Sequence, residues 1–128
     1  MQCDAFRRAV EALDLEETLA TFAPTIVLRS PVRDEPLRGK EAVRPLFAIL
    51  LQTFKELRFL ESFTSADGGE LLHFQWRLGE RKVEGVDMMH FDENGLIDDY
   101  AVMIRPLSAL QAMRDAVFAQ LPPDAGST

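Results

Sequence analysis

The chain has 128 residues, of which 47% are hydrophobic and 27% charged, with a formal net charge of −7. A chain of this length makes one domain with one substantial core. The acid excess and the scattered basic residues argue against a nucleic-acid partner, and no apolar run approaches the roughly 18–20 residues that span a bilayer.

The first third reads as helical. Phe6, Val10 and Leu13 recur at three- and four-residue spacing, on an amphipathic N-terminus that lacks the apolar core of a signal peptide. Asp14-Leu-Glu-Glu17 resembles a capping box and opens a second short helix, with Leu15, Leu19 and Phe22 on its apolar face and Pro24 ending it. Residues 25–31 make a short strand, and the segment 31–39, with two prolines, reads as a loop. A third helix starts near Lys40 and turns Val43, Leu46, Phe47, Leu50, Leu51 and Phe54 inward, despite Pro45 about one turn inside it.

From Lys55 the period changes to two. Leu57, Phe59 and Phe63 lead to a turn at Asp67-Gly-Gly69, and Leu72, Phe74, Trp76 and Leu78 alternate along the next strand to a turn near Gly79-Glu80. The strand that follows carries an acid, Asp87, inside an apolar run. It turns at Asn94-Gly95, a strong hairpin signal, into residues 96–104. Pro106 suits the first turn of a last helix with Leu110, Met113, Val117 and Leu121 on one face. Residues 1–121 are thus expected to form a single domain and residues 122–128 a disordered tail.

Helices followed by a long antiparallel meander predict an α+β fold in which one curved sheet wraps around the helices as a cone. Asp87 is the residue that such a strand does not explain. Alternation groups Gly85, Asp87, Met89 and Phe91 on one face and Val86, Met88 and His90 on the other, and both faces are largely apolar. A sheet buried on both sides predicts a cavity on its concave face and a contact between two copies of the chain on its convex one. A buried carboxylate needs a proton or a partner. Arg29, Arg58 and Arg77 lie on other strands and could pair with it.

The strand–loop–helix stretch SPVRDEPLRGKEAVRPLF (30–47) and the hairpin GVDMMHFDENGLI (85–97) resemble the nuclear transport factor 2-like superfamily, in particular its SnoaL-like (polyketide cyclase) and ketosteroid-isomerase-like branches. The resemblance covers roughly residues 5–106. It implies a cystatin-like cone and places Asp87 on the concave side, where ketosteroid isomerases carry an acid that donates a hydrogen bond to a developing oxyanion. The isomerases' base would fall at Ser30 and their tyrosine at Ala9, so steroid isomerisation of that kind is not expected. SnoaL-type cyclases, which rely largely on one acid near this position, look closer. Asp98, Asp99 and Arg105 supply the residue types of the epoxide hydrolases of this fold but do not fall on their motif.

The resulting expectation is a cone that holds a small apolar or carbonyl-containing molecule. Asp87 and Tyr100 are the catalytic candidates for a cofactor-free cyclisation or isomerisation. Phe22, Phe47, Phe54, Phe74, Trp76, Met89 and Val102 line the pocket. A non-catalytic binder and a protein-interaction module with a self-filled cone are the alternatives. The two histidines, His73 and His90, have no ligand spacing, and the one cysteine, Cys3, offers no disulfide or zinc site, so no metal or cofactor is expected and the chain suits a reducing cytoplasm.

Overall fold

A computed structural model describes residues 1–121; the expected tail, 122–128, lies outside the described residues. The elements are α1 (Asp4–Glu11), α2 (Leu15–Ala20), β1 (Phe22–Arg29), β2 (Leu37–Arg38), α3 (Lys40–Thr53), β3 (Lys55–Thr64), β4 (Glu70–Leu78), β5 (Arg81–Phe91), β6 (Ile97–Arg105) and α4 (Leu107–Gln120). The strands form one curved sheet in the order β2-β1-β6-β5-β4-β3. The fold is α+β, as the change of period predicts.

The meander β3 to β6 is antiparallel throughout, because each hairpin reverses the chain. The β5–β6 hairpin closes through a five-residue loop, in which the Asp92 carboxylate accepts the N–H groups of Asn94 (2.9 Å) and Leu96 (3.0 Å) and Gly95 takes a φ of 78°. One pair departs from the expected antiparallel order: β1 runs parallel to β6, from Phe22 opposite Ile97 to Arg29 opposite Ala101. This ladder also corrects the second helix. That helix stops at Ala20, and Phe22 and Pro24 belong to β1. Pro24 is exposed, within a stretch where the register slips between Phe22 and Val27, a place where a missing N–H is tolerated. The loop 31–39 contains the two-residue strand β2, which pairs with Val27 and Leu28.

Two corrections concern helix ends. Pro45 does lie inside α3, on its exposed side, while Val43, Leu46, Phe47 and Leu51 face the core. Phe54 is not helical but caps α3 in an extended conformation, and it is still buried. Leu13 was expected on a buried face; α1 ends before it. The Leu13 N–H bonds the Val10 carbonyl (2.9 Å) and the Asp14 N–H bonds the Ala9 carbonyl (3.0 Å), the paired bonds of a Schellman ending. Leu13 therefore occupies the left-handed position at φ 56° and is 56% exposed. Asp14 then caps α2 by accepting the Glu17 N–H at 3.0 Å.

The other end of α1 has no local side-chain cap. Glu70, at the start of β4, supplies one across the fold. Its carboxylate accepts the N–H groups of Gln2 (2.9 Å) and Cys3 (2.8 Å), and Glu70 and Cys3 are both buried. Two backbone donors that would otherwise be orphaned at a helix start are thus satisfied from the sheet.

The left-handed conformation costs a residue with a Cβ about 1–2 kcal/mol, part of which glycine returns as unfolded-state entropy. Leu13→Gly should raise stability by about 0.5–1 kcal/mol. Chemical denaturation of the two proteins checks this, with an unchanged m-value expected.

Candidate functional site

β5 alternates as its sequence predicts. Val83, Gly85, Asp87 and Met89 are buried, whereas Met88 and His90 are exposed and Val86 half-buried. Asp87 is 4% exposed and lies opposite Leu72 on β4 and Val102 on β6. Tyr100 is its diagonal neighbour on the same face, since Tyr100 itself lies opposite Met89. The Tyr100 hydroxyl is the hydrogen-bond partner of the Asp87 carboxyl. Two of the three arginines that could have paired with Asp87 are engaged elsewhere, Arg29 with Asp99 (3.2 Å) and Arg77 with Glu56 (3.4 Å), both at the surface, and no cation acts on the Asp87 carboxyl.

Burial without a cation pushes the Asp87 carboxyl up to about 7, against a smaller downward pull from the Tyr100 hydrogen bond. Burial, and then the neighbouring acid, hold the Tyr100 hydroxyl well above the usual tyrosine range, so it stays a donor. Near neutral pH Asp87 therefore stands between its protonated and ionised forms.

These groups face a cavity of about 50 Å³. Phe47, Phe54, Phe74, Trp76 and Val102 line it together with Asp87 and Tyr100. Phe22 and Met89, expected in the lining, are core residues instead, each fully buried. Both lie toward the narrow end of the cone, at the level of Ile97 and Tyr100. There Phe6, Phe22, Phe47 and Tyr100 pack ring against ring, with centroids 5.2–6.5 Å apart. Pockets for drug-sized ligands run to roughly 300 Å³ or more. The present cavity is several times smaller than that, so a larger guest needs side chains or α4 to yield.

The sequence reading missed part of the wall. Met113 and Val117 of α4 roof the cavity, and Phe6 and Val10 of α1 and Ser30 after β1 also contribute. The i, i+4 spacing of Met113 and Val117 was visible as an apolar face, but nothing local says what that face covers. Continuing the β1–β6 register puts Ser30 level with Val102, in the row of Asp87. Ala9 is buried on α1 and is not in the lining.

The remaining candidates are elsewhere. His73 bonds Glu84 (2.7 Å), which also accepts from Arg105 (2.8 Å), on the outer face. His90 is 3.6 Å from Asp67 and exposed. Among the described residues no three His, Cys, Asp or Glu side chains gather closely enough to hold a metal ion. Cys3 is buried, and desolvation followed by the Glu70 carboxylate pushes its thiol up to about 12, which keeps it protonated.

A SnoaL-like domain profile matches residues 3–100. Among solved structures, a steroid delta-isomerase from Pseudomonas aeruginosa is 32% identical, with a TM-score of 0.87 over 94% of this chain and 88% of that one. An uncharacterised protein with a cystatin-like fold from Silicibacter pomeroyi is 27% identical, with a TM-score of 0.88 over 97% and 87%. A Mycobacterium tuberculosis protein, in complex with estradiol-17beta-hemisuccinate, shares the fold at 21% identity, with a TM-score of 0.66 over 84% and 92%. Comparison with curated proteins finds no match.

The raised Asp87 carboxyl makes stability fall with pH. Its folded value of about 7 lies above the unfolded value of about 3.9. Its stabilising contribution is therefore complete below about pH 4 and is lost as pH rises to about 7, a span on the order of 4 kcal/mol. Asp87→Asn removes the ionisation and keeps the shape. Thermal melts should show the variant's advantage widening from pH 5 to pH 8; an arginine-paired Asp87 would give the opposite trend.

Proposed function

The chain belongs to the SnoaL-like domain family, and from that premise we propose that it binds a small apolar carbonyl compound in the cone, with the Asp87 carboxyl as proton donor to the carbonyl oxygen. The observation that carries this reading is a dry acid, held without a cation and hydrogen-bonded by Tyr100, on the wall of an otherwise apolar cavity. A protonated carboxyl gives its proton to the carbonyl oxygen, and the carboxylate left behind takes a proton from the adjoining carbon, so the acid is regenerated as the enol forms; the reverse sequence at a second carbon completes an isomerisation. Cyclisation and isomerisation are net proton-neutral, so one such group can serve them without a cofactor. Tyr100 orients Asp87.

Catalysis of the ketosteroid-isomerase kind is not part of this proposal. Ser30 stands where the base would be, and Ala9 where the tyrosine would be. One observation favours a binding protein without turnover: among the described lining residues Asp87 is the only carboxylic acid. Conversion of a β,γ-unsaturated ketone to its conjugated isomer, followed by ultraviolet absorbance, separates the two. A catalyst loses turnover in Asp87→Asn; a binder has none to lose.

The sheet's outer face is the second element of the proposal, as a contact between two copies in the cytoplasm. Phe63, Leu71, Met88 and Ala101 form one cross-strand row and Val86 and Met103 part of another, with Phe63 and Met103 each 53% exposed. Stable homodimer interfaces bury roughly 2,000 Å² or more of such surface.

Two outcomes test these readings. Only the protonated acid donates, so affinity for androst-4-ene-3,17-dione should fall about tenfold from pH 6 to pH 8, the change in protonated fraction for a group near 7. Fluorescence of Trp76, the one tryptophan, reads it, and in Asp87→Asn the profile should be flat. A pH-independent native affinity overturns the assignment. Light scattering should give a dimer at micromolar concentration, and Met103→Glu a monomer.

A further inference from the structure

The basic residues are scattered along the sequence, but the sheet gathers five of them at one end of its outer face. Lys55, Arg77 and Lys82 stand side by side in one cross-strand row, and Arg58 and Arg105 flank Gln75 and Glu84 in the next. All five are exposed. Like charges directly opposite one another destabilise a sheet. Neighbouring acids answer only part of this: Glu56 meets Arg77 (3.4 Å) and Glu84 takes Arg105 (2.8 Å). The positive excess is local, since the whole chain carries −7.

The other end of the same face is acidic. Asp99 lies opposite His90, Asp67 stands 3.6 Å from His90, and Asp92 and Glu93 follow in the hairpin loop. Arg29 answers Asp99 (3.2 Å). Between the two ends run the apolar rows, Met88 with Leu71 and Ala101, and Val86 with Met103. The spacing is symmetric about the level of Asp87 and Val102. Arg105 lies three residues after Val102 and Asp99 three before it, while Lys82 lies five before Asp87 and Asp92 five after it.

We propose that this face is built for a second copy in one orientation, antiparallel, with the basic end of each copy on the acidic end of the other. This rests on the contact between two copies proposed for the outer face and fixes how the partner lies on it. An isologous contact between two sheets allows two alignments. A half-turn about an axis across the strands, at the level of Asp87, lays β6 on β6 in opposite senses. Arg105 then falls over Asp99, and Lys82 over the loop of Asp92 and Glu93. A half-turn about an axis along the strands instead brings base onto base and acid onto acid. The apolar rows meet in both arrangements, so charge decides between them, because juxtaposed like charges strongly disfavour an interface. The angle of roughly 30° at which aligned sheets pack tilts the rows but keeps the ends together. Val86 and Met88, the neighbours of Asp87 on β5, are covered in this arrangement, and the two cones point in opposite directions.

Lys82→Glu and Glu93→Lys test the orientation at exposed positions. Each alone should weaken the dimer about tenfold or more, read as a dissociation constant by sedimentation equilibrium at low salt, and both in one chain should restore it to within about threefold. Base on base would leave each single variant as tight as the native chain. A nitroxide label on Lys82→Cys is selective, because the native Cys3 is buried. Dipolar spectroscopy of the labelled dimer should place the two labels about 35 Å apart, twice five residues at roughly 3.3–3.4 Å each, whereas base on base would put them within about 20 Å. Single variants as tight as the native chain, a double variant that is not restored, or labels within about 20 Å each overturns the orientation and leaves the two-copy contact standing. A native chain that is monomeric at micromolar concentration overturns both. Its sedimentation with phosphatidylglycerol vesicles would then assign the basic end to an anionic surface.

Discussion

The constraint on which this structure turns is a carboxyl kept dry with no cation beside it. Moving Asp87 from its usual range to about 7 corresponds to on the order of 4 kcal/mol at neutral pH, set against a total stability of about 5–15 kcal/mol for a domain. The packing around it must outweigh that cost. Phe6 of α1, Phe22 of β1, Phe47 of α3 and Tyr100 of β6 do much of this, since four elements meet in one aromatic cluster next to the acid. Tyr100 belongs both to that cluster and to the hydrogen bond, so the packing that closes the cone also aims the donor.

The cone is closed differently at its two ends, and this explains which residues line the cavity. At the narrow end the aromatic cluster and Met89 leave no room. Glu70 ties the start of α1 to β4 there, which fixes the helix carrying Phe6 and Val10. At the other end the roof is a single helix, α4, with Met113 and Val117 turned down onto the cavity. A shallow crevice runs along its flank beside Pro31, Val32, Arg33 and Asp34. Any enlargement of the present 50 Å³ is easier on that side, where one helix has to shift, than at the clustered end.

The relatives divide fold from chemistry. At 32% identity and a TM-score of 0.87, the Pseudomonas protein that bears the name of a steroid delta-isomerase shares nearly the whole backbone of this chain. A shared backbone places an acid on β5 but does not supply a second catalytic group. Ser30, in the row of Asp87, carries a hydroxyl that accepts the Val32 N–H at 3.3 Å, a local turn contact rather than a proton acceptor for substrate. What distinguishes this cavity is its short inventory of polar groups, dominated by donors.

Much of this is legible in the sequence alone, and the reason is geometric. The period of two along β5 decides that Asp87 shares a face with Gly85 and Met89, whatever the sheet later packs against. The Asn94-Gly95 turn brings Tyr100 one strand over, and the Asp14–Glu17 spacing starts α2. Each of these depends on backbone geometry within a few residues. The parallel ladder of β1 on β6, the tether from Glu70 to Cys3, the descent of Met113 and Val117 onto the cavity and the unpartnered Trp76 N–H do not. They join residues far apart in the sequence, or count acceptors around one atom, and both depend on how the whole chain packs. Local sequence thus determined the elements and the face on which the acid stands. The tertiary structure alone decided that the acid has no cation, how small its cavity is, and which donors surround it.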